Sequence, residues 1–196
     1  MDHVLGMPPS GRACPSRLNA GAPVPTPLPE PWLRGPVPGI HALLQPAAHA
    51  FLMAREDVAA AVAGLSPEQV WTAPEGMTPL GFHVAHLSGS TDRLLTYARG
   101  SALDAEQKAA LGRERMIGVE RPPVERLVHE WNATVDRALA QLAATDPATL
   151  TDARTVGRDQ LPSTVLGLLF HAAEHASRHT GQIVTTSKMV RALSNA

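Results

Sequence analysis

Cysteine is nearly missing: one residue, Cys14, occurs among 196, which excludes an intrachain disulfide framework and fits a reducing cytosol. Cys14 lies in a proline-rich segment and is assigned no catalytic role. Aromatic residues make up only 4% of the chain, too few for a platform on which nucleic-acid bases stack. Charge of one sign is lacking too, with 17 Lys and Arg against 18 Asp and Glu, a formal net charge of -1, and the cations scattered. Nothing in that balance attracts a phosphate backbone, so no nucleic-acid partner is expected. No apolar run reaches the ~20 residues that span a bilayer, and the N-terminus lacks the continuous apolar core of a secretion signal. The expectation is a soluble, cytoplasmic protein with no membrane partner.

What is present is Ala, Leu and Val in helical rhythm, which predicts an all-α fold. From residue 1 to about 38 the chain is crowded with proline, and Pro23, Pro25, Pro27, Pro29 and Pro31 alternate. That spacing removes amide donors and favours polyproline II, so an extended or disordered arm is expected, with Trp32 and Leu33 tethering its end to the remaining domain, 39–196. Four long helical patterns follow, at about 40 to 64, from Thr78 as N-cap and Pro79 to about Arg99, from Pro122-Pro123 to about Ala144, and from near Ser163 to about Arg191. Shorter pieces are predicted near Ser66 to Trp71 and Asp104 to Met116, and an irregular loop from Thr151 to Pro162. The long connection between the second and third patterns predicts that these two helices run the same way, joined by an overhand crossover. The architecture implied is a four-helix bundle.

The chemistry concentrates in His171-Ala-Ala-Glu174-His175-Ala-Ser-Arg178-His179, three histidines at four-residue steps on one helix face. At 1.5 Å rise per residue, neighbours lie roughly 6 Å apart and the outer two roughly 12 Å apart, so one ion can take two of them. The pair is His175 with His179 or His171 with His175. The other close pair, His83 and His86, shares a face of the second long helix. One of these can complete a three-histidine site whose open positions accept water or substrate. A divalent ion is expected, zinc or nickel ahead of iron or manganese.

A His-x-x-His helix together with a last helix reading His-x-x-x-His-x-x-x-His-x-Gly-Gln resembles the DinB superfamily, over roughly residues 40 to 192. The resemblance implies a four-helix bundle with the metal held by one histidine of the second helix and two of the last. Carried onto this chain, the pair before Gly181-Gln182 is His175 and His179, and the helix-2 ligand is His86, with His83 as the alternative. Thr180 stands where a basic residue is usual. Members are described as damage-inducible or thiol-transfer related, which implies a metal-dependent enzyme acting on a small molecule, with a low-molecular-weight thiol or water as nucleophile, a stress-related role and a homodimer. The polymerase that shares the family's name is a different protein; this chain is too short and lacks its carboxylate pattern.

Rival readings attach to the same residues. His171-Ala-Ala-Glu174-His175 also spells the His-x-x-Glu-His peptidase pattern, with Glu174 as general base, but no Asp or Glu follows His179 to supply its further carboxylate. The plainer roles are a Glu174–Arg178 ion pair and a pocket-lining or outer-sphere position for His171. A structural metal in a non-catalytic scaffold would require a fourth protein ligand, for which His49 and His129 are the candidates. Arg154 and Arg158 would bind an anionic substrate if their loop borders the metal pocket. Asp92 and Arg93 are expected to pair at the far end of the bundle, and Trp71, Phe82 and Trp131 to lie in the core.

Overall fold

The computed structural model describes residues 28–194; Cys14 and the prolines from Pro23 to Pro27 lie outside the described residues. Trp32 and Leu33 do not tether the arm, being 54% and 56% exposed. The anchors are the buried Pro31 and two polar links: the Arg34 fork grips Glu56 at 2.5 and 2.7 Å, and the Gln45 amide bonds both backbone groups of Val37. A bidentate guanidinium–carboxylate pair fixes direction as well as distance, which an indole on a proline-rich segment does not.

Helix α1 is Gln45–Val62, entered through a 3-10 turn at Ala42–Leu44 rather than helical from residue 40. Pro46 lies in the first turn and has no N–H to give to the Ala42 carbonyl, which accepts the 3-10 bond from Gln45 N–H instead. Phe51, Ala54, Val58 and Val62 make its buried stripe. Helix α2, Pro67–Trp71, carries a capping box between Ser66 and Gln69. Helix α3, Leu80–Ala98, starts with Pro79 at the cap position rather than Thr78, and Gly81 lets it press on Trp71: a Cβ there would meet the indole ring at 2.8 Å.

The crossover holds α4, Ala105–Glu114, capped reciprocally by Asp104 and Gln107, and α5, Ile117–Glu120. Helix α6 is Val124–Ala144 and α7 is Val165–Ser194. Gln141, near the end of α6, bonds the Leu95 carbonyl near the end of α3 at 3.0 Å, so these helices run the same way and the connection is a crossover. Ser187 late in α7 bonds Ala61 late in α1, so that pair is parallel too, whereas α3 and α7 are antiparallel, with His86 facing His175 and His83 facing His179. Between them lies the core, built on Phe51, Leu80, Leu87, Trp131, Leu142 and Leu169.

The segment expected to be irregular is a β-hairpin, β1 (Ala153–Val156) and β2 (Leu161–Thr164), paired antiparallel with Val156 opposite Leu161. Its tip is held from inside: Gln160 accepts from the Thr155 hydroxyl and donates to the Gly157 carbonyl, and both Gly157 and Gln160 have positive φ. Four-residue strands, one containing Pro162, carry too little alternation to announce themselves. No helix among the described residues is long and apolar enough to cross a membrane.

Candidate metal centre

Antiparallel packing of α3 on α7 turns two histidine pairs toward each other. His86 Nε2 lies 3.0 Å from His175 Nε2, and His83 Nδ1 lies 3.0 Å from His179 Nδ1. One ring nitrogen each from His86, His175 and His179 falls within 4.8 Å of the other two. Among the described residues no further His, Cys, Asp or Glu joins that group. His83 touches His179 but stays outside the cluster, buried at 7% exposure.

These donors fit a divalent ion. Tetrahedral zinc with bonds of about 2.0 to 2.1 Å sets its nitrogen ligands roughly 3.3 Å apart, close to the His86–His175 separation. Burial, reinforced by the neighbouring imidazoles, pushes the pKa of His179 down to about 4, and burial first, then the charge of His86, lowers His175 as well. Both rings are therefore neutral at pH 7 and keep a lone pair for an ion.

A family comparison decides what the cluster belongs to: the DinB superfamily model matches residues 50–183. The chain belongs to the DinB superfamily. Nothing matches it among curated proteins. The DinB region begins inside α1 and closes after all of the clustered histidines.

This DinB site has an outer layer that sequence reasoning missed. Glu114, the last residue of α4, accepts from His86 Nδ1 at 2.6 Å and from Arg93 Nη1 at 2.9 Å, and the two side chains of this ion pair are only 11% and 13% exposed. Arg93 thus works two turns from His86 rather than at the far end of the bundle. Burial raises the Glu114 pKa, but the hydrogen bonds from His86 and Arg93 outweigh it and hold the carboxyl below its ordinary value. An ionised Glu114 only accepts, so the Nδ1 of His86 carries the proton and Nε2 is left to face His175. Gly89 makes room for this pair: a Cβ there would sit 2.5 Å from Glu114 Oε2 and 2.8 Å from Arg93 Nη1. A glycine inside a helix costs about 1 kcal/mol against alanine, and that was the available signal. Phe82 is not simply core, since its ring stacks on His86 with centroids 5.7 Å apart and 8° between planes.

Other sequence candidates lie elsewhere. His171 turns outward to Glu174, 3.3 Å away, and Glu174 is also held by Arg178 at 2.5 Å, so the His-x-x-Glu-His set is not assembled around the cluster. His49 bonds the Gly35 carbonyl and His129 is exposed; neither offers a fourth ligand. Arg154 donates to the Ala98 carbonyl at 2.9 Å, roughly 18 Å of helix rise along α3 from His86. Arg158 lines a separate cavity.

The histidine pKa shifts set a pH response for metal-free protein. The folded pKa of His179 lies below its ordinary value of 6.5, so the unfolded chain takes up that proton first as pH falls. The stabilisation is present above about pH 6.5 and is lost as pH drops toward 4. Thermal unfolding with chelator present should show Tm falling across this window, and His179→Ala should flatten the fall; equal slopes in the two proteins would refute the assignment.

Proposed function

We propose that this DinB-superfamily protein is a metal-dependent enzyme whose divalent ion, zinc or nickel, is held by His86, His175 and His179. The observation that carries the reading is the convergence of three imidazole nitrogens from two helices, with no fourth protein donor in the group among the described residues. A structural zinc is normally closed by four protein ligands, so a three-histidine set supports an open, reactive position. When bound, such an ion supplies Lewis acidity, making a small thiol or a water available as a nucleophile at neutral pH.

The residues of the chain prepare that position. Glu114 and Arg93 fix the ring of His86 from behind, while Phe82 lies flat against it and limits its rotation. His83 Nδ1 and His179 Nδ1 lie within hydrogen-bond distance, and the His179 tautomer that donates from Nδ1 leaves Nε2 for the ion, which would make His83 an orienting partner. The small-molecule substrate and a low-molecular-weight thiol as co-substrate are part of the proposal.

Elemental analysis of untagged protein tests it, comparing wild type with His86→Ala, His175→Ala and His179→Ala and using circular dichroism to monitor folding. Near one metal per chain is expected in wild type, lost in each variant while the helical signal persists. Wild type that stays metal-free after reconstitution with zinc or nickel would sink the proposal, and variants that unfold on losing metal would favour a structural ion.

A further inference from the structure

A cavity of about 550 Å³ lies where the hairpin tip, the connection leaving α3 and the helix α4 meet. Its volume falls in the range of small-molecule sites, roughly 300 to 1,000 Å³. Among the described residues the lining contains no Asp or Glu, but it contains Lys108 and Arg158. Neither cation takes part in an ion pair among the described residues. Tyr97 and Ser101 add hydroxyls, and Leu103 and Leu111 add apolar surface.

The walls are stiff for reasons independent of a ligand. Thr155 and Gln160 satisfy each other at 2.7 Å, and Gln160 also bonds the Gly157 carbonyl at 2.9 Å. Arg154 is committed to the carbonyls of Ala98 and Ala153, and packs beside Gly100, whose positive φ turns the chain away from α3. The side chains of Arg154, Thr155 and Gln160 are thus engaged within the protein, while those of Lys108, Arg158, Tyr97 and Ser101 make no hydrogen bond among the described residues and are left to serve the cavity. A lining rich in donors and cations is matched by a group that offers only acceptors. Arg158 supplies a planar fork and Lys108 a point charge. The cavity is distinct from the histidine cluster, because Tyr97 stands roughly 16 Å of helix rise along α3 from His86.

We propose that this cavity is a second ligand site, which takes a small organic anion: a carboxylate or phosphate ester on an apolar body. The assignment does not depend on the metal reading.

Titration of isotope-labelled full-length protein with phenyl phosphate and, separately, phenylacetate tests it by amide chemical shifts. Inorganic phosphate serves as the probe without an apolar body and benzyl alcohol as the probe without charge. Saturable shifts centred on Tyr97, Gly100, Leu111 and Gly157 are expected with at least one aromatic anion, and weaker binding with both controls. The stronger of the two anions distinguishes a phosphate from a carboxylate ligand. Lys108→Ala combined with Arg158→Ala should weaken binding roughly tenfold or more. Both residues are exposed, so folding is not at risk. His179→Ala should bind as wild type does. No saturable shift at the cavity, binding that survives the double substitution, or shifts confined to the histidine cluster would each overturn the proposal.

Discussion

Glu114→Gln is expected to weaken retention of the metal roughly 10- to 100-fold while the bundle stays folded. Glutamine keeps an oxygen that can accept from His86 Nδ1, but it brings no charge, and its amide donors meet the Arg93 guanidinium where an acceptor is needed. The His86 ring then loses both its electrostatic support and part of its orientation. Competition with a chromophoric chelator for zinc or cobalt(II) measures the change, with His86→Ala as reference. Unchanged affinity in Glu114→Gln beside lost binding in His86→Ala would remove Glu114 from the site. Unchanged affinity in both would remove the metal reading itself.

A second large effect belongs to the core. Trp131 of α6 is fully buried, and its indole N–H has no partner among the described residues. Trp131→Ala should cost about 3 to 5 kcal/mol, because apolar contact is lost and a cavity is left behind. For a chain of this size that corresponds to a fall in Tm of roughly 10 °C. Trp131→Phe keeps a flat ring and removes the unpartnered donor, so a loss of less than about 1.5 kcal/mol is expected. Denaturant unfolding of metal-free protein separates the two. A similar loss in both variants would show that the indole nitrogen is satisfied in solution, contrary to the packing described.

The main features were legible for identifiable reasons. Periodic apolar residues such as Phe51, Ala54, Val58 and Val62 mark a helix face, and Ser66 with Gln69 or Asp104 with Gln107 mark starts by capping. The histidine spacing pointed to one face each of α3 and α7, and the family resemblance selected His86, His175 and His179, which the packing brings together. Glu114 was not legible, because it lies 28 residues from His86 in a charged run, between Arg113 and Arg115, that reads as a solvated helix surface. Only the crossover brings it inward. The hairpin was hidden by its shortness and by Pro162, and Arg154 looked available for an anion until its donors were seen to close onto backbone carbonyls.

His86 and His175 are separated by 89 residues, and the second of them lies on the final helix. During synthesis, which proceeds from the N-terminus at roughly 5 to 20 residues per second, α1, α3, α4 and α6 are all made before the cluster can exist. Glu114 and Arg93 can meet His86 early, but the ring has no histidine from α7 to face until the last helix emerges. Under the proposed reading the ion is held only once α7 has been made, and a chain without that helix presents one of the three clustered histidines, His86.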